Sequence, residues 1–147
     1  MKFDDTNLSI IKHLRDGRKS FNTIANDLDI TENTVRSRVS KMTEEGILEI
    51  VGLVNPERLP GHRTVVIGVK LTTPKLFQKG EEVSNLRGVT KVLLVTGKYD
   101  IIIEVLLKDG FGLLEFYEEE FTKMSEIQTA ETFVVFKSFN HLVPYVL

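Results

Sequence analysis

The sequence predicts an α+β protein built in two parts, a bundle of three short helices followed by a βαββαβ, ferredoxin-like sheet layer. Three observations carry this. Apolar residues recur at helical spacing through the first 45 residues. The stretch "NPERLPGHR" at 55–63 then breaks the pattern with two prolines and a glycine. Beyond it, β-branched runs and helical runs follow one another as strand–helix–strand–strand–helix–strand.

In the first part, Leu8, Ile11 and Leu14 share one helical face, Asp4 or Asp5 can cap the start, and Gly17 ends the run. Ser20 offers a cap to a second helix carrying Ile24, Ala25 and Leu28. Thr31 caps a third, with Val35, Val39 and Met42 on one face and Gly46 as its stop. Residues 47–54, "ILEIVGLV", are expected to form a short hairpin or a bent strand. The implied division is 1–54 for the helical domain, 55–63 for a linker and 64–147 for the sheet domain.

In the second part, 64–71, 89–96, 101–107 and 129–137 read as strands, the middle two joined by the turn "GKYD". Residues 74–88 read as a helix begun by Pro74 and interrupted by Gly80. Residues 111–124 read as another, with Leu114, Tyr117, Phe121 and Met124 on one face and "EEE" at 118–120 on the wet side. The strand at 101–107 is apolar on both faces, and Phe133 and Val135 oppose Val134 and Phe136 on the last strand. Both sheet faces are therefore expected to be buried, the open one by a second protomer.

The totals narrow the function. The chain has 147 residues, 41% apolar and 27% charged, with a net charge of −2. Residues 1–55 hold eight Lys or Arg against nine Asp or Glu, so any footprint for an anionic partner must be local. Without cysteine, disulfides, thiolate chemistry and Cys-based zinc sites are excluded. His13, His62 and His141 lack metal-ligand spacing and are expected at the surface or in the linker, so no metal and no cofactor are expected. No apolar run is long enough to span a bilayer and the charged N-terminus is no signal peptide; a soluble cytoplasmic protein with no membrane partner is expected.

A local footprint is present. Two helices joined by a tight turn within a three-helix unit follow the helix-turn-helix plan, with "NTIANDLDITENTVRSRV" supplying it residue by residue. Ala25 is small where the second and third helices approach, and Leu28, Ile30, Val35 and Val39 fill the space between them. Asp29 occupies the turn position where glycine is usual, and aspartate can visit left-handed backbone there at some cost. The outward positions on the third helix are Asn33, Thr34, Arg36, Ser37, Arg38 and Lys41, donors suited to phosphates and base edges. Arg15, Arg18 and Lys19 add cationic charge nearby, and the stretch at 47–54 is a candidate wing. The plainer reading of such a helix is a solvated cationic face. Arg38, among buried positions, reads equally as a structural ion-pair residue.

Taken together, "DDTNLSIIKHLRDGRKSFNTIANDLDITENTVRSRVSKMTEEGIL", "VNPERLPG", "VTGKYDIIIEV" and "IQTAETFVVFK" resemble the leucine-responsive/asparagine-synthesis (Lrp/AsnC) transcription regulators across nearly the whole chain. The resemblance implies an N-terminal winged helix-turn-helix, a C-terminal βαββαβ effector (RAM) domain, and a sequence-specific regulator of double-stranded operator DNA. It also implies homodimers formed through the sheet and assembled into tetramers or octamers. Departures are Asp29 in the turn, a short wing and an extra proline in "RLPGHR".

"GKYD", residues 97–100, matches the family's glycine-x-x-aspartate turn, which helps form a pocket for an amino acid or related small effector. The resemblance implies that Asp100 takes the ammonium group and Gly97 offers backbone N–H groups, with Thr96, Thr129 and Thr132 as hydroxyl contributors. The alternative is a plain hairpin turn, with Gly97 present for φ > 0 and Asp100 bonding its own backbone. No nucleophile setting or phosphate-binding glycine loop is present, so no enzyme activity is expected. The readings left beside a regulator are an Lrp-like haem-biosynthesis decarboxylase, for which no basic and histidine cluster is visible, and a metabolite sensor without DNA binding.

Overall fold

A computed structural model describes residues 2–147. The chain divides into two compact units, 1–51 and 52–147.

The first unit contains helices α1 (Asp5–Leu14), α2 (Phe21–Asp27) and α3 (Glu32–Glu44). Each starts on a side-chain cap that satisfies a free N–H of the first turn. Asp4 accepts from Asn7 N–H at 3.0 Å, Ser20 from Thr23 N–H at 3.1 Å, and Thr31 from Thr34 N–H at 3.2 Å. Ile10, Ile24, Ala25, Val35, Val39 and Met42 form the core, with Leu28, Ile30 and Leu48 packed at its edge. Full burial of one such aliphatic side chain stabilises by roughly 1.5–3 kcal/mol, so six residues make a modest core. Asp29 adopts φ +53°, the left-handed conformation that its position in the turn demands.

The expected hairpin or bent strand at 47–54 is not formed. After Gly46 the N–H groups of Ile47 and Leu48 both turn back onto the Met42 carbonyl, at 2.8 and 3.1 Å. That closure ends α3 and leaves 47–52 without strand pairing. Of this stretch only Leu53–Val54 (β1) is paired as a strand, with Val143–Pro144 (β6), both within the second unit.

The second unit carries β2 (Arg63–Leu71), α4 (Leu76–Ser84), β3 (Val89–Leu94), β4 (Ile101–Leu107), a helical segment opening with α5 (Leu113–Glu115), and β5 (Ile127–Val134). The sheet order is β3-β4-β2-β5, antiparallel throughout, as the split βαβ pattern requires. Pairings such as Val65↔Val105, Ile67↔Ile103 and Val69↔Ile101 align one apolar face. That face packs against Val83, Phe111, Phe116, Phe121 and Met124.

The segment after α5 runs through a π turn, Phe116–Glu120, and a 3-10 turn, Phe121–Lys123. The wider turn rotates the buried face. Phe116 is buried in place of the expected Leu114, which is exposed. Glu120 also leaves the wet side expected of it, accepting from Lys123 at 2.9 Å and from Arg87 N–H at 3.3 Å.

The second sheet face is not fully covered within one chain. Leu106 is buried and Ile102 is half-buried, but Leu93 and Phe133 are 48% and 43% exposed. The last strand ends earlier than expected, at Val134, because Glu57 draws the following segment away. Glu57, in the turn Pro56–Arg58, accepts from Ser138 N–H and its hydroxyl at 2.7 Å each, and from Lys137 at 2.5 Å. Phe136 is left fully in solvent.

Candidate nucleic-acid interface and effector turn

Helical periodicity sorts the α3 side chains. Positions 35, 39 and 42 face the core, while 33, 36, 37, 40, 41 and 44 form the opposite stripe. Asn33, Arg36, Ser37, Ser40, Lys41 and Glu44 line a shallow depression of about 410 Å³ along this stripe. Arg36 is 62% exposed, and Lys41 carries no ion pair among the described residues. Thr34 is half-buried, its hydroxyl 2.9 Å from that of Thr31, so it belongs partly to the cap.

Arg38 lies elsewhere. Its guanidinium donates to Asp4 at 2.7 Å and to Asn7, tying α3 to the start of α1, and its side chain is only 28% exposed. The Arg38 guanidinium and the Asn7 N–H together hold the Asp4 carboxyl below its ordinary range. Of the two readings open for this arginine, the observed contacts are those of the structural ion pair. Lys19 is also engaged, 2.5 Å from Asp27, while Arg15 and Arg18 make no ion pair among the described residues.

Periodicity alone did not bring out two companions of Arg36. Glu32 accepts from it at 2.6 Å, and its guanidinium carbon lies 5.5 Å from the centre of the Phe21 ring. The i, i+4 spacing of Glu32 and Arg36 was readable in advance. The Phe21 contact requires knowing how α2 crosses α3.

The turn after β3 is differently made. Gly97 has φ +121°, and a Cβ there would meet nothing within 4 Å, so backbone conformation and not crowding calls for glycine. Asp100 is 19% exposed and doubly engaged, its carboxylate accepting from Leu71 N–H at 2.9 Å and from Lys70 at 2.7 Å. Those two bonds, the backbone one first, hold its carboxyl below the usual range. Lys98 is 2.5 Å from Glu131, which also accepts from the Tyr99 hydroxyl, and Glu131 raises the Lys98 pKa. The Tyr99 ring lies on Gly68, where an added Cβ would come within 2.8 Å of it.

Thr129 pairs in register with Lys70 from the β5 side while Asp100 meets Lys70 from the β4 side, so β2 lies between them, and Thr96 is exposed beside Gly97. Thr132 is not brought there. It pairs with Ile67 on the helix-covered face, and its hydroxyl is 2.8 Å from that of Tyr117.

His13, His62 and His141 are all half-buried, and His62 lies in the expected linker. His13 lies 2.8 Å from Lys19 Nζ, His62 reaches the Pro60 carbonyl at 2.8 Å, and His141 sits 2.9 Å from Glu104. A cavity of about 400 Å³, which sequence reasoning did not anticipate, opens between Glu57, Arg63, Thr64 and Ser138. Among the described residues no group of His, Asp and Glu could hold a metal ion, and no helix is long and apolar enough to cross a membrane.

Comparison with known proteins bears on both regions. Residues 3–49 match the family model of a winged helix-turn-helix DNA-binding domain, and residues 64–143 match that of the Lrp/AsnC ligand binding domain. The chain belongs to the Lrp/AsnC family. It is 30% identical to the HTH-type transcriptional regulator PH0140 of Pyrococcus horikoshii over 137 residues, 92% of this chain and 87% of that one. It is 28% identical to the HTH-type transcriptional regulator Ptr1 of Methanocaldococcus jannaschii over 138 residues, 92% and 93% of the two chains. E. coli AsnC superposes with a TM-score of 0.71 at 25% identity, over 94% of this chain and 95% of that one. The transcriptional regulator NMB0573 of Neisseria meningitidis, solved with L-Met, superposes with a TM-score of 0.72 at 19% identity, over 99% and 96%. The chain is a transcription regulator of this family, with a helix-turn-helix unit and a ligand-binding unit.

Proposed function

We propose that this regulator lays the outer stripe of α3 in the major groove of operator DNA and responds to an amino acid or related metabolite at the turn after β3. The observation that carries the DNA reading is the sorting of α3. Arg36, Ser37, Lys41 and Asn33 face outward, while Val35, Val39 and Met42 anchor the opposite face. Arg and Asn are the side chains that pair bidentately with purine edges, and Lys41 suits a phosphate. Arg15 and Arg18 add cations for the backbone. The protein acts as a cytoplasmic homodimer or a higher assembly, in which two helices address half-sites about one helical turn, roughly 10 bp, apart.

At the turn, Gly97 and Thr96 would receive the effector carboxylate and Asp100 the ammonium group, with Thr129, across β2, a more distant hydroxyl. Asp100 is already paired with Lys70, so binding exchanges one ammonium for another. The L-Met bound by the Neisseria regulator supports this ligand class. Equilibrium titration with the promoter duplex of its own gene, at low and moderate salt, tests the first half. Affinity is expected to fall steeply, with a log–log slope of roughly −0.9 per phosphate contacted. Calorimetry against the twenty amino acids tests the second, with binding to one or a few expected and lost in Asp100→Ala.

A further inference from the structure

We infer that Arg36 reads a guanine edge and that Glu32 and Phe21 are its positioning residues. This deepens the DNA-binding reading above and rests on it. The two outward cations of α3 are held very differently. Lys41 is exposed and has no ion pair among the described residues, a mobile point charge of the kind that suits a phosphate. Arg36 is held at two points that come from different helices. One terminal nitrogen donates to Glu32 at 2.6 Å, and its guanidinium lies 5.5 Å from the centre of the Phe21 ring.

An exposed i, i+4 pair adds little to stability, so the value of these contacts lies in orientation. The guanidinium is a flat fork of five N–H donors. Glu32 occupies one edge, and the remaining donors are left on a plane whose direction is set by Glu32 and Phe21. Guanine presents two adjacent acceptors, N7 and O6, in the major groove, which a donor-only fork satisfies. Adenine presents an acceptor beside a donor, and the donor opposes the fork. Arg36 also lies in the first half of α3, the part of a recognition helix whose side chains contact base edges. Pre-ordering the side chain removes rotamer freedom before binding, which favours selective contact over general attraction to phosphate.

The experiment is selection of binding sites from a randomised duplex pool by the wild-type protein, followed by affinity ratios for the selected duplex and the same duplex with its guanine changed to adenine. The wild type is expected to prefer guanine by about 5- to 150-fold. In Arg36→Ala the ratio falls to about one, the full loss of that contact. In Glu32→Ala, folded by circular dichroism, the ratio also falls, and Glu32→Gln, which keeps an acceptor, restores part of it. Phe21→Leu lowers the ratio in the same way. If Glu32→Ala weakens both duplexes equally and keeps the ratio, Glu32 is merely structural and the inference is overturned. A guanine preference that survives Arg36→Ala overturns it as well. A wild-type protein that selects no sequence at all removes the underlying reading instead, so the two failures are distinguishable.

Discussion

The outer stripe of α3 and the turn after β3 are both polar surfaces beside apolar cores, yet their charges are satisfied to different degrees. On α3, Lys41 has no ion pair among the described residues, and Arg36 is paired with Glu32 through one terminal nitrogen and set over the Phe21 ring. At the turn, Lys70 closes on Asp100 and Lys98 on Glu131. A surface that leaves Lys41 unpaired and engages Arg36 through one terminal nitrogen retains donors for an anionic partner. A surface whose charges are mutually satisfied can take a charged ligand only by exchange, which makes binding weaker and conditional. That difference fits the proposed roles of α3 in reading DNA and of the turn in answering a ligand.

Several changes would break or sharpen the contrast. The largest effect is expected from Ile24→Ala, which opens a cavity in the small helical core and should cost about 2–5 kcal/mol. Thermal unfolding should show the helical unit melting early while the sheet unit keeps its transition, since Ile24 belongs to the first core alone. Arg38→Ala should lower the same transition by less, through loss of its bonds to Asp4 and Asn7, and leave the salt dependence of DNA binding as in the wild type.

Lys70→Met addresses the turn. Freed from its partner, Asp100 should bind the effector ammonium more tightly, by several-fold in calorimetry. Unchanged affinity would mean that Asp100 does not take the ammonium.

Acid provides a further probe. The Glu57 pKa is lowered from 4.5 to about 2 by Lys137 and Ser138. A depressed carboxylate stabilises the fold fully above its ordinary pKa and loses that contribution as pH falls through the lowered value. The sheet unit's melting temperature should therefore drop between pH 4.5 and 2, and Glu57→Gln should flatten that drop. The smallest effect is Asp29→Gly, which relieves the φ +53° backbone and should stabilise by less than about 1 kcal/mol in a denaturant titration.

Local rules made much of this readable in the sequence. The caps Asp4, Ser20 and Thr31, the core face Val35–Val39–Met42 and the sheet order all follow from spacing within one element or between neighbours. The failures come where a backbone turn or the strand register overrides a simple period. Ile47 and Leu48 look like strand residues, but the Met42 carbonyl takes both of their N–H groups. Leu114 and Glu120 were placed by a 3.6-residue period that the π turn at 116–120 breaks. The engagement of Asp100 by Lys70, thirty positions earlier, depends on strand register, and no motif encodes it. The same holds for Thr132, which lies on the sheet face away from Thr129. The candidate DNA stripe was legible because it lies on one helix, and the candidate effector turn was only partly so because its partners come from β2 and β5.

The central claim is that the outer stripe of α3, and not its cationic content as a whole, grips DNA. The most direct test measures operator affinity against salt for the wild type, for Arg36→Ala with Lys41→Ala, and for Arg38→Ala. The double variant should bind far more weakly and show a shallower log–log slope, by roughly 0.9 for each phosphate contact removed, while Arg38→Ala keeps the wild-type slope. A double variant with unchanged affinity and slope, or an Arg38→Ala protein that alone loses them, would contradict the account.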